Sequence, residues 1–355
     1  MRIKKEVRKI VASVLAFLMV VSLIPVNSLM TKANAASKTT FEGGKTVEDG
    51  TWKGWTWNVF GSSTDVTKAF ATDTGNGGVT LEVTGDKGKI NGSASDQGLN
   101  TFLYELDKSY DFTITAQAKV DTLAANAQAA FGLTIRDNVG AHGNTAKLTA
   151  DKNNFAFVGG YGNQAASGHG NAGYKTTALA HTRLGESPEV GGTYDLAIQK
   201  VGDSVKLYFN GEVAAECSAD DLITDNAMYV GLFAARNAKV TFNNVKLAYT
   251  QDSSSVKVTT NVTAPKKTTY CAGNTYEDVD LTGFKATVSV DGKEREITAS
   301  DCVVDMSNDP FAEVTDAGKL NLLYLGQTIE VPITVIKEVV SDMYIDCLLY
   351  TSPSP

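Results

Sequence analysis

All three tryptophans of the chain, Trp52, Trp55 and Trp57, fall within six residues, in the run Thr51-Trp52-Lys53-Gly54-Trp55-Thr56-Trp57. Sugar rings present apolar C–H faces, and an indole offers them a broad surface with one N–H donor. Exposed, the cluster would make a carbohydrate platform. The spacing has a second reading, because positions 55 and 57 of a strand share one face and would both enter a core. Arg136-Asp137-Asn138 and Arg236-Asn237 each end an apolar segment with an arginine followed shortly by an asparagine. Phe131, Leu133 and Ile135 share one strand face, which leaves Arg136 with Gly132 and Thr134 on the other. A guanidinium there can grip a uronate carboxylate through two hydrogen bonds. Against this stands a structural role, with Arg136 paired to a neighbouring acid and the Asp/Asn residues capping a turn. The small, polar run from Gly159 through Tyr161 and His169 to Tyr174 has the composition of a ligand loop, and equally of a plain surface loop.

The elements that must position these residues are strands. From residue 36 to 337 there is little helical periodicity. Short alternating segments recur instead, separated by Gly, Asn, Asp and Ser clusters. The pattern predicts strands at Val79–Val83, Tyr110–Val120, Gln128–Arg136, Asn154–Gly159, Tyr194–Lys200, Ser204–Phe209, Met228–Ala234 and Lys239–Tyr249. Asn210-Gly211 predicts a hairpin into Val213–Glu216. Residues 36–250 therefore form a two-sheet sandwich or barrel. Gln251-Asp252-Ser253-Ser254-Ser255 reads as a flexible linker. Beyond it, Val256–Val262, Phe284–Val290, Glu294–Thr298, Leu320–Leu325 and Thr328–Ile336, with a turn at Asp291-Gly292, predict a second all-β unit over 256–337.

The two ends carry different information. Arg2, Lys4, Lys5, Arg8 and Lys9 precede an apolar run, Ile10–Val26, and then Ala33-Asn34-Ala35. That is the order of a signal peptide cleaved after Ala35, and the run is short for a membrane anchor. The expected location is extracellular, secreted or at the cell surface of a Gram-positive-type bacterium, with no membrane partner after cleavage. The leader holds six Lys/Arg and one Glu, so its removal takes the net charge from −8 to −13. Such an acidic chain is a poor nucleic-acid binder. The tail, 338–355, ends in Cys347-Leu348-Leu349-Tyr350-Thr351-Ser352-Pro353-Ser354-Pro355, which resembles translated sequencing-adapter read-through; a natural Ser/Pro tail is the alternative. The expectation is a fragment of a longer protein. Four cysteines, Cys217, Cys271, Cys302 and Cys347, are too few for a disulfide scaffold. Cys271 and Cys302, both in the second unit, are the one pair that could join, and unpaired thiols are preferred.

Three segments in order, Phe131–Asn138, Thr193–Lys200 and Tyr229–Phe242, resemble the concanavalin A-like, laminin-G-like jelly roll at the front of secreted clostridial pectate lyases, over roughly Thr40 to Tyr249. Pro265–Tyr270, Asp280–Phe284, Asp291–Lys293 and Gly326–Val331 resemble a bacterial immunoglobulin-like domain, a class that acts mostly as a spacer; Cys271 departs from it. The resemblance implies an all-β fold, a jelly roll followed by a small immunoglobulin-like sandwich, and a polysaccharide as ligand. It raises a structural calcium ion, although Asp65, Asp73, Asp137 and Asp151 are scattered and no EF-hand loop occurs. Jelly-roll glycosidases carry a Glu-x-Asp-x-x-Glu strand, which is missing; Glu277-Asp278-Val279-Asp280 lies in the second unit. His142, His169 and His181 have no Gly-x-Ser-x-Gly partner. The expectation is a non-catalytic, monomeric, carbohydrate-binding accessory region, with Trp52, Trp55, Trp57, Arg136, Asn138, Tyr161, Arg236 and Asn237 as candidate contacts. The alternatives are a surface adhesin or spacer, and a jelly-roll glycoside hydrolase.

Overall fold

The computed structural model describes residues 39–337 apart from 62–63, 91–96, 126–127, 149–152, 162–168, 176–178 and 184–187. The leader (1–35) and the tail (338–355) lie outside the described residues. Fifteen strands make the first unit. They are β1 (Thr39–Thr40), β2 (Trp55–Phe60), β3 (Ala69–Asp73), β4 (Val79–Val83), β5 (Leu99–Asp107), β6 (Asp111–Leu123), β7 (Ala130–Arg136), β8 (Phe155–Tyr161), β9 (His169–Lys175), β10 (Leu179–Arg183), β11 (Thr193–Val201), β12 (Ser204–Phe209), β13 (Glu212–Ser218), β14 (Ala227–Ala235) and β15 (Ala238–Thr250). Eight form one sheet in the order β1-β3-β4-β15-β6-β11-β12-β13, and seven form the other in the order β10-β9-β8-β7-β14-β5-β2. The two sheets stack as a jelly-roll-like sandwich.

Period-2 patterning builds the layer between them. Val79, Leu81 and Val83 of β4, Ile114, Ala116, Ala118 and Val120 of β6, Phe131, Leu133 and Ile135 of β7, and Met228, Val230, Leu232 and Ala234 of β14 all face inward into one buried cluster. Asn100 on β5 ties the layers together. Its Nδ2 donates to the carbonyls of Phe70 (2.8 Å) and Glu82 (3.1 Å) in the opposite sheet.

The second unit is a smaller sandwich made from β16 (Lys257–Thr263), β17 (Thr269–Cys271), β18 (Lys285–Val290), β19 (Lys293–Thr298), β20 (Val303–Asp305), β21 (Thr315–Tyr324) and β22 (Gln327–Ile336). A three-stranded sheet, β16-β18-β19, faces a four-stranded one, β17-β22-β21-β20. Its own core includes Tyr270, Phe284, Val288, Ile297, Phe311, Leu322 and Val331. Cys217, Cys271 and Cys302 are free thiols, and Cys347 lies outside the described residues.

Residues 251–255 do not form an extended tether. Ser253–Ser255 make a 3-10 turn, with the Asp252 carboxylate accepting from Ser254 N. Thr250 Oγ1 donates to Asp291 Oδ1 (2.7 Å), and Gln327 Nε2 donates to Ser253 O (2.9 Å). The second unit then lies on the outer face of the eight-stranded sheet. Leu325 N donates to Thr113 Oγ1 (3.0 Å), Thr115 Oγ1 to Ser300 O (2.6 Å), Tyr276 Oη to Asp195 Oδ2 (2.9 Å) and Met306 N to Gly211 O (3.1 Å). Ala197 and Tyr208 pack there against Val303 and Leu323. A cleft of about 530 Å³ remains along this junction.

Candidate functional site

The outer face of the eight-stranded sheet is covered by the second unit over β6, β11 and β12, and the outer face of the seven-stranded sheet is the surface considered for a ligand. Its rows follow from the strand register. One row runs Leu103, Gly231, Thr134, Phe157, Gly173, His181, and the next runs Thr101, Phe233, Gly132, Gly159, Asn171, Arg183. A third places Tyr229, Arg136, Phe155, Lys175 and Leu179 in line. Gly132 and Gly159 are direct cross-strand partners, and both have φ of +153°, a conformation that only glycine holds without strain. A Cβ on Gly132 would stand 2.0 Å from Val158 O. The glycines therefore let two strands approach closely and make a flat floor between Phe157 and Phe233.

Part of that floor is roofed. Phe60, Leu99, Ala130, Phe155, Phe157, Phe233 and Ala235 form a buried cluster with Ile90, and Val139 and Leu148 of the β7–β8 connection pack against it. Thr101 and Thr134 beneath are fully buried and donate to Asn58 O and Ala156 O.

The sequence candidates do not converge here. Trp52, Trp55 and Trp57 are 4%, 6% and 8% exposed. This corrects the expectation of a sugar platform. Positions 55 and 57 share the inward face of β2, where Trp55 stacks on Phe102 at 5.3 Å and Trp57 Nε1 donates to Asn100 Oδ1 at 2.7 Å. Trp52 closes the group edge-on to both Trp55 and Phe102.

Arg136 does occupy an outward row, yet it is 0% exposed, which corrects its assignment as an open carboxylate grip. Its guanidinium lies between the rings of Phe60 (5.6 Å) and Phe155 (5.1 Å). Nη2 donates to Gln97 Oε1 (2.8 Å) and Asn153 Oδ1 (2.5 Å), and Nε donates to Asn138 O (3.2 Å). Asn138 thus serves through its carbonyl. Desolvation pulls the Arg136 pKa down to about 10, and the nearby Asp137 opposes that. Asp137 itself is held above the usual carboxylate range by burial, against Arg136 and hydrogen bonds from Thr224 and Asn154.

Arg236 and Asn237 form the turn that carries the chain from one sheet to the other, with φ of +51° and +41°. Arg236 Nε donates to Gly88 O (3.1 Å), and Asn237 N donates to Gly85 O (2.8 Å). Both residues are half-buried at this turn and lie at the far end of β14 from Arg136, so the two arginine motifs do not form one site. Tyr161 ends β8 opposite Ala130 and His169; its side chain, and residues 162–168 after it, lie outside the described residues. Three of the acids raised for calcium are engaged locally. Asp65 caps Thr67, Asp73 accepts from Gly75 N, and Asp137 holds Asn154. Asp151 lies outside the described residues. Among the described residues, no group of three or more His, Cys, Asp or Glu is placed to hold a metal ion.

Sequence reasoning missed the charge of the edge half of this sheet. Strands β7 to β10 contain no Asp or Glu, and their ionisable residues are Arg136, His169, Lys175, His181 and Arg183, together with Tyr161 and Tyr174. Arg136 is buried, and the other four basic residues sit at register positions in line with the outward rows. The whole stretch 130–183 holds five Lys/Arg against two Asp, and all three histidines, in a chain of net charge −8. That sign reversal was available in the sequence, hidden by the reading of residues 159–174 as loop.

No protein-family profile matches the chain. Pectate lyase L of Thermoclostridium stercorarium is 29% identical over 282 residues, 79% of this chain and 21% of that protein. The chain thus spans about a fifth of the length of that relative. Among solved structures, the carbohydrate-binding module CBM66 from Bacillus subtilis aligns at 16% identity with a TM-score of 0.31, over 60% of this chain and 96% of that one. Alginate lyase A1-II′, a member of polysaccharide lyase family 7, aligns at 11% identity with a TM-score of 0.35, over 55% and 94%.

Proposed function

We propose that this protein is an extracellular, non-catalytic region of a larger polysaccharide-degrading protein, and that it binds an acidic polysaccharide such as de-esterified pectin. The observation that carries the reading is the acid-free edge half of the seven-stranded sheet, basic along its outward rows in an otherwise acidic chain. A polyuronate has one carboxylate per sugar. Cations spaced along neighbouring strands meet such a polymer by steering and by charge-assisted hydrogen bonds. The pectate lyase relative supports the substrate class. The second unit acts as an immunoglobulin-like mount, and binding near an insoluble substrate raises the effective concentration of whatever is tethered to it. Among the described residues no helix is long and apolar enough to cross a membrane.

The test is binding of the purified protein to polygalacturonate, to methyl-esterified pectin and to a neutral glucan, at low and moderate salt. The reading expects preference for polygalacturonate, weakening with salt, and roughly a 10-fold loss for Lys175→Glu or Arg183→Glu. Equal affinity for the neutral glucan, or charge reversals without effect, would overturn the acidic ligand. Binding to none of the three would return the protein to the adhesin or spacer reading. Release of unsaturated sugar ends during the assay would overturn the non-catalytic assignment.

A further inference from the structure

Arg136 is a buried cation whose hydrogen-bond partners among the described residues are amide oxygens: Gln97 Oε1, Asn153 Oδ1 and Asn138 O. Among the described residues the carboxylate that acts on it is Asp137, whose oxygens accept from Asn154 N (2.9 Å), Asn154 Nδ2 (2.9 Å) and Thr224 Oγ1 (3.2 Å). Two donors at this place have no partner, Arg136 Nη1 and Asn153 Nδ2, and both are fully buried. They belong to two side chains already joined to each other through Nη2 and Oδ1. Leaving a buried charge under-compensated or a buried donor unmet costs stability. Asn154 Oδ1 is also unpartnered, but its side chain is tied through Nδ2 to Asp137 and belongs to that second network. The phenyl rings of Phe60 and Phe155 close the two sides of the guanidinium.

We propose that the space beside Arg136 Nη1 and Asn153 Nδ2 is a binding site for a compact monovalent anion, a halide in ordinary solution. Charged and amide N–H donors with aromatic walls suit a small, weakly hydrated anion. The sealed position excludes a sugar ring, so the site is separate from the polysaccharide face and stands whether or not that face binds. By occupying the folded state alone, the anion stabilises it by mass action.

The experiment is thermal unfolding of the protein in sodium chloride, sodium bromide and sodium gluconate at equal ionic strength. The site predicts Tm higher by about 3 °C in either halide than in gluconate. General solvent effects run the other way, since the strongly hydrated gluconate favours compact states. Asn153→Asp keeps the acceptor for Nη2 and supplies a fixed negative charge. It is expected to reach the halide Tm in gluconate and to lose the dependence on anion. Equal wild-type Tm in all three salts, the result for a pocket filled by water, overturns the proposal even if the variant fails to fold. So does an Asn153→Asp protein that still responds to halide.

Discussion

The two outer faces of the large sandwich are covered in different ways. The eight-stranded sheet gives part of its face to a second folded unit, and the contact is made of threonine hydroxyls, backbone groups and one carboxylate: Thr113 Oγ1 accepts from Leu325 N, Thr115 Oγ1 donates to Ser300 O, Gly211 O accepts from Met306 N and Asp195 Oδ2 accepts from Tyr276 Oη. The seven-stranded sheet covers part of its face with its own connections, through Ile90, Val139 and Leu148 on a floor of phenylalanine and glycine. The first cover is fixed by hydrogen bonds, one of them to the Asp195 carboxylate. The second surrounds a charge, Arg136, and leads to an acid-free edge. A face of short polar groups, each met by a partner on the second unit, suits permanent docking. A face of one charge sign suits a ligand that arrives from solution.

The contrast breaks most visibly if an inward residue is really part of the ligand face. Trp57→Ala is expected to cost about 3–5 kcal/mol in urea unfolding, because it empties the core and leaves Asn100 Oδ1 without its donor. A loss below ~1 kcal/mol together with lost polysaccharide binding would put the indole back on the surface. On the docked face, Tyr208→Ala removes a buried ring under the second unit and should cost roughly 2–4 kcal/mol, splitting one unfolding transition into two. A single unshifted transition would mean that the units do not depend on each other. Thr113→Val is a finer probe. It leaves Leu325 N buried without an acceptor, for about 1–2 kcal/mol, and should not touch polysaccharide affinity.

The smallest effect is a pH dependence on the loop-covered side. Burial holds the His142 imidazole below its ordinary pKa, and Val59 N donates to its Nδ1 (3.2 Å), so the folded state keeps the neutral ring. As pH falls, the unfolded chain takes up its proton first, at about 6.5. The stabilisation is therefore present above that pH and is lost as pH falls toward the lowered folded value. Urea midpoints at about pH 7.5 and about pH 5.5 should show the decline, and His142→Gln should remove that part of it.

Legibility in the sequence followed local signals. Val79–Val83 and Ser204–Phe209 alternate cleanly and occur as strands with those bounds. Asn210-Gly211 and Asp291-Gly292 both take positive φ at the expected turns. β5 went unseen because Leu99–Asp107 is buried on both faces along its first half and therefore shows no alternation. β9, His169–Lys175, was hidden by glycines that a long hairpin uses as floor. The candidate contacts failed for one reason. Side chains that can bind a ligand, indole and guanidinium, also fill cores, and only the register assigns a face. Arg136 needed more than the register, because its roof comes from Gln97 and Asn153, 39 and 17 residues away in the chain.

Gly211 turns a hairpin tip into a seat. Its carbonyl receives Met306 N, and a Cβ there would stand 2.7 Å from the Tyr276 ring and 2.8 Å from Met306. Loop tips are ordinarily where proteins accept insertions, tags and exchanged neighbours. This one accepts none, because its mate needs the space. The two units are therefore fitted to each other: a different second unit grafted at residue 251 would meet Ala197 and Tyr208 with no partner, and a sandwich cut there would carry an apolar patch into solution.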